Sequence, residues 1–299
     1  MEAQGSARQR GTVERLRRAA KRLLAPVRRL RHMEPGAAFD LWAATYDGQV
    51  TNPLLLLDDE LTGRLLSGAS LAGKVVVDVG CGSGRHWPAL LAQRPARLVG
   101  YDASDGMLAC LRAKYPGAEL HRVTDHRLRE TPDASCDLVI STLTFGYIAD
   151  AEGALREWAR VLRPGGEVVL TDLHPDVATP ESRSFKSSDR TVFIRHQARS
   201  LRLITEAAGR AGLVVTRAED GRVGDAVKRA YEAANALALY QRQEGTALMF
   251  GMRFGKAPTL ETILPTAPLT PGAAATPASS SSRPTRPPPG AAARARSGS

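Results

Sequence analysis

The stretch Val75–Arg85, which reads VVVDVGCGSGR, decides the fold of this chain. Four valines around one acid predict a buried strand, and Gly80, Gly82 and Gly84 predict a tight turn that leads into a helix. Glycine is needed in such a turn because a Cβ would block left-handed backbone conformations or the close approach of a ligand. A dinucleotide-binding G-x-G-x-x-G pattern would instead place its third glycine at position 85, where this chain has Arg85.

The next segments continue with alternating strands and helices. Residues 97–101 and 119–123 predict strands, and residues 104–115 predict a helix between them. Ligands gather at the carboxyl ends of parallel strands, so Asp102 is well placed to accept hydrogen bonds from both hydroxyls of a ribose. A nicotinamide site would use the same acid. Asp102 therefore predicts a nucleoside ligand without choosing the cofactor, and a helix N-cap is its alternative role.

Two longer runs carry the most specific pattern. Pro132–Thr142 (PDASCDLVIST) predicts a strand, and Leu155–His174 (LREWARVLRPGGEVVLTDLH) predicts a helix that Pro164 stops, a Gly-Gly turn and a buried strand. Together with the D-x-G-x-G-x-G pattern from Asp78 to Gly84, these runs resemble the class I S-adenosylmethionine-dependent methyltransferases. The resemblance implies an α/β, Rossmann-like doubly wound fold. Its seven-stranded sheet would be mostly parallel, with an antiparallel last strand at the edge and helices on both faces.

Composition and charge limit the function classes. The 299 residues are 43% hydrophobic and 24% charged, as is ordinary for a globular protein, and we expect no transmembrane segment. The net charge of +10 is concentrated at the two ends: residues 1–32 and 265–299 are basic, and the remainder is close to neutral. A near-neutral core does not indicate a nucleic-acid surface. Three cysteines without metal-ligand spacing indicate a reducing compartment and no metal site.

The chain is expected to have three parts. Residues 1–32 form a basic extension, 33–256 the methyltransferase domain with a substrate lid or insertion at 175–200, and 257–299 a disordered tail rich in Pro, Ala and Ser. We expect a cytoplasmic protein, or an organellar one if the Arg-rich extension is a transit peptide. A membrane-surface or nucleic-acid arm is a further alternative for that extension, and translation from Met33 would remove it.

The later segments match the family pattern only loosely. Residues 54–66, 200–209 and 225–242 predict helices, and 213–217 and 246–254 predict strands. Within the expected lid, Thr191–Gln197 (TVFIRHQ) predicts a strand or a segment over the substrate.

The resemblance also implies a set of residues that bind the cofactor. Met107 would pack on the adenine, Asp125 would accept a hydrogen bond from the adenine amino group, and Tyr46 would lie near the cationic sulfonium. The structural alternatives are core packing for Met107 and Tyr46 and a solvated loop for Asp125. The full expected set is Asp78, Gly80, Cys81, Gly82, Gly84, Asp102, Ala103, Met107, Asp125, Ser141 and Tyr46.

Catalytic candidates are expected at strand ends that face the cofactor. A sulfonium methyl is already activated, so the protein must mainly hold the nucleophile, and a base is needed only if that nucleophile carries a proton. His174 is the favoured general base, close to Asp172, and Tyr147 is a substrate-orienting hydroxyl. For both residues a purely structural role is the alternative. His196 is a weaker base candidate, and His86 is a candidate cofactor contact.

The expected acceptor is a small molecule. The loop after the fourth strand reads STLTFGY and lacks the Asn/Asp-Pro-Pro-aromatic motif of nucleic-acid amino-methylating enzymes. The alternatives are a non-catalytic protein that binds S-adenosylmethionine, an NAD-dependent oxidoreductase and a nucleic-acid methyltransferase. The sequence leaves open the acceptor itself, the methylated atom and the oligomeric state.

Overall fold

The valine-rich strand lies at the centre of a seven-stranded sheet. A computed structural model describes residues 32–49, 52–188 and 190–257. The strands of this sheet run in the order β4-β3-β2-β5-β6-β10-β9. In the numbering used here they are β2 (Val75–Val79), β3 (Arg97–Asp102), β4 (Glu119–Arg122), β5 (Cys136–Thr142), β6 (Leu162–Leu173), β9 (Leu213–Arg222) and β10 (Ala247–Lys256).

The sheet is mostly parallel, as predicted. Strands β2 to β6 pair in parallel, and β10 pairs antiparallel with both β6 and β9. The last strand is therefore antiparallel, but its expected place at the sheet edge is wrong: β10 lies between β6 and β9, and β9 forms the edge. Strand β9 extends to Arg222 because its partner β10 offers a row of backbone groups along that whole length.

Helices cover the sheet. They are α1 (Pro35–Tyr46), α2 (Pro53–Leu66), α3 (Trp87–Ala92), α4 (Asp105–Lys114), α5 (Ala151–Val161), α6 (Leu201–Arg210), α7 (Asp225–Ala233) and α8 (Leu237–Gln243). The central strands are buried on both faces, so that Val76 and Val77 have no exposed surface although their side chains point in opposite directions. No helix in the described part of the chain has the length and apolar character that a membrane span requires.

Three helix boundaries differ from the predictions. The helix expected over 225–242 is broken into α7 and α8 because Asn235 adopts a left-handed conformation, with φ of 53°. The helix expected over residues 85–93, after the glycine turn, is α3; it is shorter and begins at Trp87, with Pro88 in its first turn. Helix α5 ends at Val161, before Pro164, and the Pro-Gly-Gly residues already belong to β6.

A second, smaller sheet forms from two distant parts of the chain. Strand β1 (His32–Met33) pairs in parallel with β8 (Arg190–Ile194), which pairs antiparallel with β7 (Ser184–Ser187). The expected strand at 191–197 is thus β8, and the expected insertion at 175–200 supplies both β7 and β8. Apart from His32 and Ala257, the predicted basic extension and the predicted disordered tail lie outside the described residues.

Candidate functional site

A cavity of about 740 Å³ opens where the parallel strands end. The last residues of β2, β3 and β5 and the residues that follow β4 contribute to its lining, beside residues of α1 and of the small sheet. Strands β3 and β4 follow on one side of β2, and the chain then crosses to the other side of β2 to form β5 and β6. Open α/β sheets bind ligands at such a reversal of the strand order, here between β2 and β5. Its volume lies within the range of roughly 300–1,000 Å³ that is usual for small-molecule sites.

The glycine turn forms one wall of the cavity. Gly80 has φ of 77°, and a Cβ built there would lie 2.0 Å from the hydroxyl oxygen of Thr144. Gly82 also has positive φ, 53°, but a Cβ at this position would meet no atom within 4 Å. Gly82 lines the cavity and Gly84 does not, because Gly84 instead packs against Leu111 of α4. The three glycines therefore serve different purposes: two allow close packing, and Gly82 keeps the cavity open.

Two acids, the buried Asp78 and the half-buried Asp102, lie near the ends of neighbouring strands. Asp102, the last residue of β3, accepts hydrogen bonds from the backbone N–H groups of Gly82 and Ser104, both at 2.8 Å. Asp78 in β2 accepts a hydrogen bond of 3.0 Å from the indole Nε1 of Trp87. Burial raises the pKa of Asp102, and burial raises the pKa of Asp78 to about 6. Asp102 is not the cap of α4, since Ser104 holds that position and accepts from Met107 N.

The structure brings most of the predicted cofactor residues to this cavity. Besides the residues named above, Cys81, Ala103, Met107, Asp125 and Tyr46 line it. Asp125 is exposed and accepts hydrogen bonds from Arg129, so it has another partner in this structure. Ser141 is fully buried in β5 but does not line the cavity, and its hydroxyl is one of three buried side-chain polar atoms of the described residues without a hydrogen-bond partner.

Aromatic side chains form the other part of the cavity. Helix α1 contributes Phe39, Trp42 and Tyr46, whose rings are neighbours at centroid distances of 5.0 to 6.4 Å. Tyr147 follows β5 and meets the ring of Phe39 edge-on at 5.3 Å, and Phe185 of β7 stacks on Trp42. Burial raises the pKa of both Tyr46 and Tyr147, so both phenols keep their protons near neutral pH.

An arginine that the sequence did not reveal lies beside this aromatic cluster. Arg183 lines the cavity with a side chain that is 6% exposed, and its guanidinium carbon stands 5.2 Å from the centre of the Tyr147 ring. Its Nη2 donates to Asp172, a buried residue one position before the end of β6. Asp172 also accepts hydrogen bonds of 2.6 Å from the N–H groups of Gly146 and Leu173. The carboxylate thus fixes both the arginine and the turn that carries Tyr147.

The favoured base does not reach the cavity. His174 follows β6, but its ring is turned toward β9: Nδ1 accepts from the N–H of Asp176 at 3.3 Å and Nε2 lies 3.9 Å from Asp220. His174 is absent from the cavity lining, as is His196, whose Nδ1 is 3.1 Å from the carbonyl of Ile194. Strand β6 ends at Leu173, so the regular alternation of the strand does not extend to His174 and does not direct its ring toward the cavity.

A buried ionic network joins α2 to the glycine turn. Arg85 donates to Asp58 and Asp59, and His86 Nε2 lies 3.2 Å from Asp58, whose other oxygen accepts from Thr171. Burial acts to raise the pKa of Asp58, but the hydrogen bond from His86 and the charge of Arg85 outweigh it and lower that pKa to about 2. Both Arg85 and His86 line the cavity.

The acids of this network also meet a geometric criterion for a cation site. Oxygens of Asp58 and Asp59 and a ring nitrogen of His86 lie within 4.8 Å of one another. The guanidinium of Arg85 already lies between the two carboxylates and supplies positive charge there. The sequence prediction assigned Arg85 no role, because the acids that hold it come from a helix 26 residues earlier.

Helix α1 is hydrogen-bonded near both ends to the segments that follow β2 and β3. Asp40 accepts hydrogen bonds from Ser104 Oγ at 2.6 Å and Gly106 N at 2.8 Å, and the bond from Ser104 lowers the pKa of Asp40. Asp47 accepts from Ser83 Oγ, on the glycine turn, at 2.5 Å and from Lys114 Nζ at 2.9 Å. The helix therefore closes the cavity as a fixed wall.

Comparison with known proteins adds the family context. Residues 77–170 match the protein family described as "Methyltransferase domain". The malonyl-[acyl-carrier protein] O-methyltransferase of Hahella chejuensis is 35% identical over 140 residues, which are 46% of this chain and 48% of that protein. The ubiquinone biosynthesis O-methyltransferase of Pseudomonas paraeruginosa is 31% identical over 110 residues, 36% of this chain and 47% of the relative. The chain spans about half the length of these curated relatives.

The fold has solved counterparts. The crystal structure of an S-adenosylmethionine dependent methyltransferase from Mesorhizobium loti superposes with a TM-score of 0.52 and 22% identity. The match covers 66% of this chain and 99% of that structure. At this identity the likeness concerns the arrangement of strands and helices.

Proposed function

The chain carries a class I S-adenosylmethionine-dependent methyltransferase domain, and from this premise we propose that the protein transfers a methyl group to a small-molecule acceptor bound in the cavity described above. The observation that carries the proposal is that one cavity contains both the glycine turn with Asp102 and the aromatic cluster around Tyr147. A cofactor and an acceptor can therefore lie side by side within it.

The cofactor half fits S-adenosylmethionine. Gly82 leaves space beside the turn, since a Cβ there would meet no atom within 4 Å. Asp102 presents a half-buried carboxylate at the end of β3, and Met107, 1% exposed, offers an apolar surface in the same cavity. When bound, S-adenosylmethionine supplies a methyl group activated by a positively charged sulfur. We assign Asp102 to the ribose hydroxyls and Met107 to the adenine.

The sheet order separates the two halves of the cavity. Asp102 ends β3, whereas Asp172 lies in β6, three strands further along the order β3-β2-β5-β6. With neighbouring strands about 4.8 Å apart, the two strand ends are roughly 14 Å apart. Tyr147 follows β5 and meets Phe39 edge-on, and Arg183 donates to Asp172 in β6, so we assign the β5–β6 side to the acceptor.

The acceptor half requires no general base from His174. Transfer from an activated methyl group needs the nucleophile to be held near attack distance, and a base is needed only for a nucleophile that carries a proton. Tyr147 remains the proposed orienting residue, because its buried neutral hydroxyl can donate a hydrogen bond to the acceptor. This assignment fits an acceptor that is already ionised or that loses its proton to water.

Calorimetric titration with S-adenosylmethionine and with NADH tests the proposal. We expect the sulfonium cofactor to bind and NADH not to bind, and Asp102→Ala to weaken cofactor binding by about tenfold or more, because hydrogen bonds to a charged group are lost. Asp105→Ala is the matched control, since the Asp105 side chain is 69% exposed and pairs with Arg122 at the surface. Radiolabelled methyl transfer to a panel of small acceptors then tests turnover.

Three outcomes are informative. Binding of NADH alone would replace the proposal with the oxidoreductase alternative. Binding of neither compound would contradict the proposed cofactor, and only the assignment of the fold would stand. Cofactor binding without transfer to any acceptor, or with transfer only to nucleic acid, would contradict the small-molecule assignment.

A further inference from the structure

Arg183 is a buried cation whose hydrogen-bonding capacity is only partly used. A guanidinium has five N–H donors. Among the described residues, Nη2 of Arg183 donates to Asp172, and the guanidinium also lies against the hydroxyl of Tyr147, whose pKa it acts to lower. Its Nε is one of three buried side-chain polar atoms there that have no hydrogen-bond partner. Leaving a buried donor unpaired is unfavourable, so a cation in this state that also lines a ligand cavity is a candidate for binding a ligand.

The other arginine of the cavity shows the contrast. Arg85 donates to Asp58, to Asp59 and to the carbonyl oxygen of Leu55, so several of its donors are already paired within the protein. Arg183 faces one carboxylate, and that carboxylate divides its own lone pairs among three donors. Of these two lining arginines, Arg183 has more donors left for an acceptor molecule.

The surroundings of Arg183 fix what such a molecule must look like. The guanidinium lies over the face of Tyr147, and Phe39 and Trp42 continue the aromatic surface that lines the cavity, while Phe185 packs on Trp42 outside that lining. In these apolar surroundings, a charged hydrogen bond is stronger than in water. A planar anion matches the planar fork of an arginine, which phosphate and carboxylate groups exploit most often.

We propose that Arg183 binds a carboxylate group of the acceptor, and that the acceptor is therefore a carboxylic acid with an apolar body. The carboxylate is preferred over a phosphate because Asp172 already balances one positive charge, so that a doubly charged anion would be repelled more strongly than a singly charged one. The inference rests on the proposed function only in assigning this side of the cavity to the acceptor. A carboxylate is ionised at neutral pH, which agrees with a cavity in which His174 plays no part.

The test compares matched acids and amides by calorimetry on protein saturated with S-adenosylhomocysteine. The probes are phenylacetate against phenylacetamide and octanoate against octanamide, because each pair differs only in the charged group. We expect at least one acid to bind about tenfold or more tightly than its amide, as for a charge-assisted hydrogen bond, and Arg183→Gln to abolish this preference. Arg202→Gln is the control, since Arg202 is 73% exposed and pairs with Glu206 on the surface of α6.

Two further variants guard against a folding defect. Arg183→Lys keeps the charge next to Asp172 but loses the planar fork, so it should fold and retain part of the preference. The double variant Asp172→Asn with Arg183→Gln leaves no uncompensated buried charge, and it should bind S-adenosylhomocysteine like the wild type while binding acid and amide equally. A merely structural arginine would change thermal stability without changing the ratio of acid to amide affinity.

The outcomes separate the inference from the function on which it rests. Equal affinity for acids and amides, no binding of either acid at about 10 mM, or a preference that survives Arg183→Gln would each overturn the inference. Failure of the wild-type protein to bind S-adenosylhomocysteine would instead contradict the proposed function. If the protein methylated neutral acceptors and Arg183→Gln did not change the rate, the proposed methyltransferase function would stand and the proposed carboxylic-acid acceptor would be rejected.

Discussion

Trp42 and Phe185 stack face to face, with ring centroids 4.5 Å apart and planes inclined by 4°. Trp42 lies on α1 and Phe185 on β7. The stack therefore joins the helix that closes the cavity to the small sheet. Phe185 is 6% exposed, which makes the contact part of a packed interior.

The stack should contribute to stability as a coupled pair. Phe185→Ala is expected to lower the free energy of unfolding by about 3 kcal/mol, since it removes a buried aromatic ring. A double-mutant cycle with Trp42→Ala should give a coupling energy of about 0.5–1.5 kcal/mol, measured by urea unfolding. Phe193→Ala is the matched control: its neighbours Val192 and Ile194 pack on the cluster containing Trp42, so by strand alternation Phe193 faces the other way. If the cycle of Phe193→Ala with Trp42→Ala gave the same coupling energy as the cycle of Phe185→Ala with Trp42→Ala, this prediction would be contradicted.

Two glycines with positive φ should respond differently to a methyl group. Gly82→Ala and Gly68→Ala each place an alanine in a left-handed conformation, at φ of 53° and 80°, and should each cost about 1 kcal/mol of folding free energy. Only Gly82 lines the cavity, so only its substitution should also weaken S-adenosylmethionine binding, by about tenfold. Parallel calorimetry and urea unfolding measure both effects. A loss of binding in Gly68→Ala would show that strain alone disturbs the site.

Asp78 should make the unliganded protein less stable as the pH rises. Its pKa is about 6 in the fold and 3.8 as the ordinary value, so its favourable contribution is complete below about pH 4 and is lost as the pH rises through 6. The loss corresponds to roughly 3 kcal/mol. Asp78→Asn keeps an acceptor for Trp87 Nε1 and should remove this slope. Unfolding free energies at pH 4, 5, 6 and 7 provide the check, and parallel curves for the two proteins would refute it.

Asp58 should show the opposite pH dependence. Its pKa is lowered from 3.8 to about 2, so the stabilisation is complete above about pH 4 and disappears as the pH falls to 2. The effect amounts to about 2 kcal/mol by linkage. Asp58→Asn should therefore be less stable than the wild type at pH 6 and approach it in acid. Asp59→Asn, whose side chain is 45% exposed, should change stability by less than about 1 kcal/mol at either pH.

Local sequence patterns were sufficient to predict the glycine turn and the acid that ends the next strand. The strand and the glycine turn lie within eleven consecutive residues, and Asp102 ends the next strand, so spacing alone brought Gly82 and Asp102 to one end of the sheet. The antiparallel last strand also followed from the family pattern. The position of β10 inside the sheet could not be predicted in this way, because its local sequence does not indicate that β9 pairs with its outer edge.

The acceptor half depends on contacts between distant segments. His174 was selected because it follows a strand, but the strand ends at Leu173 and the ring turns away from the cavity. Arg183 carries no motif, and its position follows from a bond to Asp172 and from the pairing of β7 with β8. Such pairings are determined by tertiary packing, which overrides the local propensity that a sequence pattern reports.

The residues that line the cavity come from separate parts of the chain. Strands β1, β7 and β8 and helix α1 lie outside residues 77–170, the segment that matches the methyltransferase family, whereas the glycine turn, Asp102 and Tyr147 lie inside it. Under the proposed assignment, exchanging α1 and the segment from β7 to β8 would change which acceptor the domain takes and would leave the glycine turn and Asp102 in place.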